Sequence, residues 1–221
     1  MDHISSKTLQ FLKELKQNNY REWFNENKHR FEEAKSEFEA FIEGLIKSIS
    51  DFDKSIGSLN AKKAIFRIYR DTRFSKDKSP YKTNIGAHLV AHASKVHDRA
   101  GYYIHIEPGN CFLAGGAYVP PSPWLNVIRE QIAQHGDEFR KIINHPDFKK
   151  YFGSIEGEKL KTNPKGFPND HPEIELLRFK SFLAVHQLKD KQVTGPGFLE
   201  YAGQIFKAIH PFDSFLNRGL A

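Results

Sequence analysis

Residues 101–118 read GYYIHIEPGNCFLAGGAY. Tyr102 to Ile106 are aromatic, β-branched or His, which suits a pleated strand. Pro108-Gly109 marks a turn. Cys111 to Val119 then reads as the hairpin partner, with Gly115-Gly116 permitting a bulge or a close backbone approach. Side chains alternate across a strand, so Tyr102, Ile104 and Ile106 share one face while Tyr103, His105 and Glu107 share the other. The first set is apolar and the second titratable, as expected of an antiparallel sheet packed on one side.

Working outward, KKAIFRIY (Lys62–Tyr69) is expected to be a strand, with Ala64, Phe66 and Ile68 facing the core and Ile65, Arg67 and Tyr69 opposite. NIGAHLVAH (Asn84–His92) suits either a helix or a strand. As a strand it opposes Ile85, Ala87 and Leu89 to His88, Val90 and His92. FLAVHQL (Phe182–Leu188) is one more strand. Before the sheet, Ser5–Leu15 reads as a short helix capped by Ser5 or Ser6. From Tyr20 to Ile49, apolar residues recur at gaps of mostly three, four and seven, an amphipathic helix bent near Asn25–Asn27. After the sheet, Ser122 caps a helix from Pro123 to His135, and another runs from Asp137 to Asn144. Residues Phe148 to Pro172 read as a long packed loop. A final helix follows GPG, kinked or ended by Pro211. The fold class is α+β, one domain over residues 1–221. A helical part spans about 5–50, a sheet-rich, mainly antiparallel middle about 62–119, and a helical and loop part about 122–221.

The chain has 221 residues, long enough to bury roughly 70% of its unfolded surface without covalent staples. Its one cysteine, Cys111, cannot form an internal disulfide, and no leader pattern or run of ~20 apolar residues occurs. A cytoplasmic protein with no membrane segment is expected. There is no Gly-rich phosphate loop, dinucleotide fingerprint, nucleophile elbow or HExxH motif. No cofactor is indicated. No metal site is expected, because His88 and His92 on a strand stand about 13 Å apart.

The net charge is +6, and +4 of it lies in FRIYRDTRFSKDKSPYK (Phe66–Lys82). Arg67, Arg70 and Arg73 recur every third residue, and the guanidinium fork suits phosphate and carboxylate oxygens. Lys78 and Lys82 follow in a turn-like segment before and after Pro80. This concentration points to an anion-binding site. A structural Arg–Asp network built on Asp71 and Asp77 is the alternative reading. Across the sheet, His105 and Glu107 are in range for proton transfer, and Asp71 is a further acid–base candidate. Pairing of His105 and Glu107 on a merely wet face gives the same pattern.

FRIYRDTRFSKDKSPYKTNIGAH, NNYREWFNENKHRFEEAK, GYYIHIEPGNCFLAGGAY and LKTNPKGFPNDHP together resemble the family defined as domain of unknown function 2461, found in bacteria and some fungi. The resemblance spans about Thr8 to Leu220. It implies no particular activity, cofactor or catalytic residue. Its motifs mark where a site would lie: the cationic stretch, His105 with Glu107, and secondary loop positions Lys161, Lys165 and His171. The expected function is binding of a phosphate-bearing or other anionic small ligand, with or without catalysis. The rivals are a nucleic-acid binder, with Tyr69, Phe74 or Tyr81 stacking on bases, and a structural or partner-binding domain.

Overall fold

The computed structural model describes residues 1–91 and 97–220. Its centre is a four-stranded antiparallel sheet of β1 (Ile85–Leu89), β2 (Tyr102–Ile106), β3 (Cys111–Ala117) and β4 (Phe182–Leu188), in the order β1-β2-β3-β4. The register sets two rows side by side on one face: Gly86, His105, Phe112 and Gln187, then His88, Tyr103, Ala114 and Val185. The opposite face carries Ala87, Ile104 and Leu113, all fully buried. The segregation expected from the alternation in residues 102–107 is therefore present.

Two long helices pack on each other in the core on the apolar side of the sheet. Helix α3 (Lys28–Ser50) buries Ala34, Phe38, Phe41, Leu45 and Ile49, a stripe at three- and four-residue spacing. Helix α10 (Phe198–Leu216) lies directly on β3, and Phe198 stacks on Phe41 at 5.2 Å. Each such apolar side chain contributes about 1.5–3 kcal/mol on burial. Helix α1 (Ser6–Gln17) packs on α3, its first turn capped by the Ser5 hydroxyl accepting from Thr8 N–H. Helix α2 (Arg21–Glu26) is separated from α3 at Asn27, where the bend was expected. The α4 turn (Ala61–Ala64) precedes β1.

Beyond the sheet come α5 (Ser122–Gln134), α6 (Gly136–Ile143), α7 (Pro146–Phe152), α8 (Ile174–Leu177) and α9 (Asp190–Val193). Buried Arg129 of α5 donates to the Leu177 and Phe179 carbonyls at 2.8 and 3.2 Å, fixing the approach to β4.

Several expectations are corrected. Lys62–Tyr69 is not a strand. Its first residues form α4, and the rest makes only single bridges, Ile65 to Ala87 and Tyr69 to Tyr81. Phe66 consequently leaves the core and stands 37% exposed beside the other sheet face. The ambiguous segment is strand β1, whereas His92 lies outside the described residues. Ser122 opens α5 instead of capping it, since Pro121 holds the cap position. The supposed loop begins with α7, whose apolar Phe148 and Phe152 fill the core. Pro211 does not end α10, which continues to Leu216 with Pro211 on its exposed side. There the missing N–H and the displaced carbonyl face solvent.

Gly116 sits at φ +115°, and an added Cβ would fall 2.0 Å from the Phe182 carbonyl oxygen. Gly109, at φ +78° in the β2–β3 turn, would have no atom within 4 Å of its Cβ. Gly116→Ala is expected to lose about 3–5 kcal/mol because β3 and β4 must separate. Gly109→Ala should lose only about 1 kcal/mol. Urea unfolding of the two variants tests this difference.

Candidate functional site

The uncovered face of the sheet forms the floor of a cavity of about 550 Å³. Phe112, Ala114 and Val185 make the floor apolar, while His88, Tyr103 and His105 supply polar groups. Phe66 and Tyr118 stand at its margins. Gly86 permits this arrangement. A Cβ there would sit 3.1 Å from the Tyr103 hydroxyl, so glycine lets the tyrosine lie along the sheet toward His105.

The polar groups are linked in a line. The Tyr103 hydroxyl is 2.8 Å from His105 Nδ1, and His105 Nε2 is 3.5 Å from Glu107 Oε2. His105 is also stacked on Phe112 with ring centres 4.6 Å apart. Glu107 accepts from Thr83 Oγ1 at 2.9 Å and Asn110 Nδ2 at 3.0 Å, with Lys16 Nζ 3.7 Å away. Burial by itself would raise the Glu107 pKa, but these donors outweigh it and hold the carboxyl below its ordinary range. Burial lowers the His105 pKa, partly offset by Glu107. Tyr103 is pushed up to about 12 by burial and by the Glu107 charge. A neutral His105 with an ionised Glu107 assigns the protons: Nε2–H donates to Glu107, leaving Nδ1 to accept the Tyr103 O–H.

The cationic stretch divides into two parts. Arg70 reaches Asp77, and its Nη1 donates to Ser79 Oγ at 2.8 Å. Arg73 makes a fork with Asp71 at 3.0 and 2.7 Å. Lys78 donates to the Thr72 carbonyl at 2.8 Å. These three cations organise the loop itself. The Arg73 hydrogen bonds hold Asp71 well below the usual carboxylate range, and Ser79 with Arg70 does the same for Asp77. Asp71 thus sits in the loop's own ion pair and outside the line that joins Tyr103, His105 and Glu107. Asn19 anchors the segment, donating to the Tyr81 carbonyl at 2.9 Å and accepting its N–H at 3.0 Å. Tyr81 also stacks on Phe24 at 3.9 Å.

Lys82 and Arg67 are placed differently. The Lys82 ammonium lies 5.3 Å over the Phe66 ring at the cavity margin, and Phe66 is 6.1 Å from Tyr103. Burial, then the nearby Arg67 charge, lowers the Lys82 pKa. Neither cation forms a carboxylate pair among the described residues.

Lys161, Lys165 and His171 belong elsewhere. They follow the segment that bridges β4 through Glu156 and Leu183, on the edge opposite β1, and His171 Nδ1 accepts from Glu173 N–H at 3.1 Å. The two lysines are exposed. Among the described residues no three His, Cys, Asp or Glu side chains converge on a metal-sized site. Tyr103 and Phe112 are additional site residues that the sequence reading did not single out for function. Their signal was their place beside His105 in the alternation.

A family model described as a conserved hypothetical protein (DUF2461) matches residues 7–215. The chain belongs to the DUF2461 family. No curated protein and no solved structure matches it. The motif blocks of DUF2461 identified in the sequence thus fall on separate parts of this fold. Residues 66–88 give Phe66 and His88 to the cavity wall, 101–118 form much of its floor, and the 160–172 block lies at the far edge.

His88 carries the clearest pH consequence. Burial lowers its pKa from 6.5 to about 4. The unfolded chain therefore binds this proton first, so stability is complete above about pH 6.5 and falls as pH drops toward 4. The loss over that window is on the order of 3 kcal/mol at about 1.4 kcal/mol per unit. His88→Gln should flatten urea-measured stability between pH 6.5 and 4; an unchanged slope would refute the assignment.

Proposed function

We propose that the open sheet face binds a small ligand with an apolar body and a phosphate or carboxylate group, and exchanges a proton with it. The observation that carries this reading is the position of Lys82 and Arg67. Neither is held in a carboxylate ion pair among the described residues; Lys82 lies over Phe66, which lines the apolar cavity, and Arg67 is near enough to lower the Lys82 pKa. An entering anion supplies the missing counter-charge where partial desolvation strengthens the attraction. Arg70, Arg73 and Lys78 hold the loop in shape and steer anions at longer range.

The proton path follows from the hydrogen accounting. A ligand proton passes to the Tyr103 oxygen while the phenolic proton moves to His105 Nδ1. This yields an imidazolium stabilised by Glu107 and leaves the charge on the ligand. Tyr103 touches the ligand, His105 is the base, and Glu107 orients and stabilises it. The buried single Cys111, its thiol pushed up to about 12 by burial, suits the reducing cytoplasm.

A second reading has one observation in its favour. Phe74 is 95% exposed, with the Arg73 guanidinium 5.8 Å from its ring, which makes a stacking platform for single-stranded nucleic acid.

The experiment is a thermal-shift panel of inorganic phosphate, benzoate, phenyl phosphate, hexanoate, nucleotides and a short single-stranded DNA. Saturation near 100 times the dissociation constant should raise Tm by about 5–10 °C. We expect phenyl phosphate or an organic carboxylate to act and inorganic phosphate to act less. Lys82→Gln and Arg67→Gln should each weaken binding about tenfold or more, while Arg73→Gln should not. Loss in Arg73→Gln and Phe74→Ala, with a salt slope near −0.7 per phosphate contact, would instead establish the nucleic-acid reading.

A further inference from the structure

Two groups of titratable side chains lie outside the proton path proposed for the open cavity. On the covered side of the sheet, the Tyr102 hydroxyl is 2.9 Å from Asp53 Oδ2 and 2.6 Å from His210 Nδ1. Asp213 beside them has both carboxylate oxygens closed to solvent and without a hydrogen-bond partner among the described residues. A ligand has no way to reach it. His88, on the open face, is placed differently. It is 8% exposed, lines the open cavity and makes no hydrogen bond among the described residues, yet none of the closed, unpartnered atoms belongs to it.

His88 and Tyr103 are paired across β1 and β2, but their polar atoms lean in opposite directions. A Cβ at Gly86 would lie 3.1 Å from the Tyr103 hydroxyl, and one at Gly101 would lie 3.2 Å from His88 Nε2. Gly86 pairs with His105, whereas Gly101 lies one residue before the pairing begins at Tyr102. Gly101 and His105 are four residues apart along the chain, about 13 Å at the rise of a strand. The Tyr103 hydroxyl and His88 Nε2 therefore mark opposite ends of the cavity, with the apolar row of Ala114 and Val185 between them. The Phe66 N–H donates to the Gly86 carbonyl at 2.9 Å, so Phe66, and Lys82 over its ring, belong to the Gly86 end.

The two ends suit different chemical groups. Lys82, Arg67 and Tyr103 serve the anion. At the other end His88 is uncharged at neutral pH, because burial and then the His97 charge lower its pKa to about 4. Other titratable side chains at that end, His97, Tyr118 and Glu156, are exposed. A neutral imidazole offers one N–H and one lone pair. A hydroxyl, itself both donor and acceptor, complements it. A second anion or an ammonium would leave water for an uncharged partner, which is costly.

We propose that the open cavity takes an anion whose apolar chain ends in a hydroxyl, an ω-hydroxy carboxylate or phosphate monoester, with that hydroxyl bound by His88 beside Gly101. This rests on the ligand reading given above and specifies the end of the ligand remote from its anionic group.

The test compares octanoate and octyl phosphate with their ω-hydroxy forms by thermal-shift and calorimetric titration of the full chain. The hydroxyl should tighten binding about three- to tenfold, the range of one neutral hydrogen bond. Butanoate should gain nothing from a terminal hydroxyl, because it is too short to span the cavity. His88→Phe should erase the preference. A measurement on the wild type needs no variant: ω-hydroxyoctanoate should shift the His88 ring nitrogen resonances more than octanoate does. Equal affinity with and without the hydroxyl, a like gain for butanoate, or a preference that survives in His88→Phe would each overturn this inference and leave the ligand reading standing. If none of these anions binds the wild type, the ligand reading fails and this inference fails with it.

Discussion

Helix α10 approaches β3 so closely that Gly115 has no room for a side chain. A Cβ there would lie 2.6 Å from Ile209 Cδ1 and 2.8 Å from Asp213 Oδ2. This contact sets the rest of the molecule. It commits one sheet face to the core, where α10 packs on β3 and α3 packs on α10. Among the described residues no helix covers the other face, and the residues that alternate with the core become the floor of the open cavity. The same approach presses Asp213 into an apolar wall. Dense packing and an unpaired carboxyl are thus two results of one geometry.

The cationic stretch shows how charge count and charge availability differ. Six cations within 17 residues look like a single anion site. Once folded, Asp71 and Asp77 take one arginine each, and a backbone carbonyl takes Lys78. Exposed ion pairs of this kind contribute little to stability, about 0–1 kcal/mol, but they fix loop shape. Three cations, Arg67, Lys76 and Lys82, stay outside these pairings, and of them Lys82 lies over the Phe66 ring. The Arg–Asp network is present in Arg70 with Asp77 and Arg73 with Asp71, and the anion-site reading is carried forward only as a proposal for Lys82 and Arg67.

Much of this was legible from patterns of period two and 3.6. The alternation in residues 102–107 placed Tyr103, His105 and Glu107 together, and the Phe stripe of α3 placed the core. The strand expected at Lys62–Tyr69 failed because Asn60 caps a helical turn, accepting from Lys63 N–H at 3.3 Å, and local capping overrode β propensity. Helix α7 was hidden by short length and flanking Gly and Pro. The Asp53–Tyr102–His210 cluster joins residues up to 157 positions apart, read from their numbers, and no local pattern brings them together. Asp213 did leave a trace: it is an acid set among Ile209, Phe212 and Leu216 on the buried stripe of α10.

The sheet also has an uneven chain path. Strands β2 and β3 are joined by residues 107–110, whereas residues 118–181 intervene between β3 and β4. Closing the longer loop, about sixteen times the length, costs roughly 2–3 kcal/mol more in chain entropy. Refolding is therefore ordered in time. The β1–β3 meander forms from near neighbours, and β4 joins only after the intervening helices have drawn the chain back. Leu183, Val185 and Gln187 come from β4, so the open cavity acquires its last wall late. Pulse-labelled amides of β4 would then gain protection after those of β2, and simultaneous protection would exclude this order.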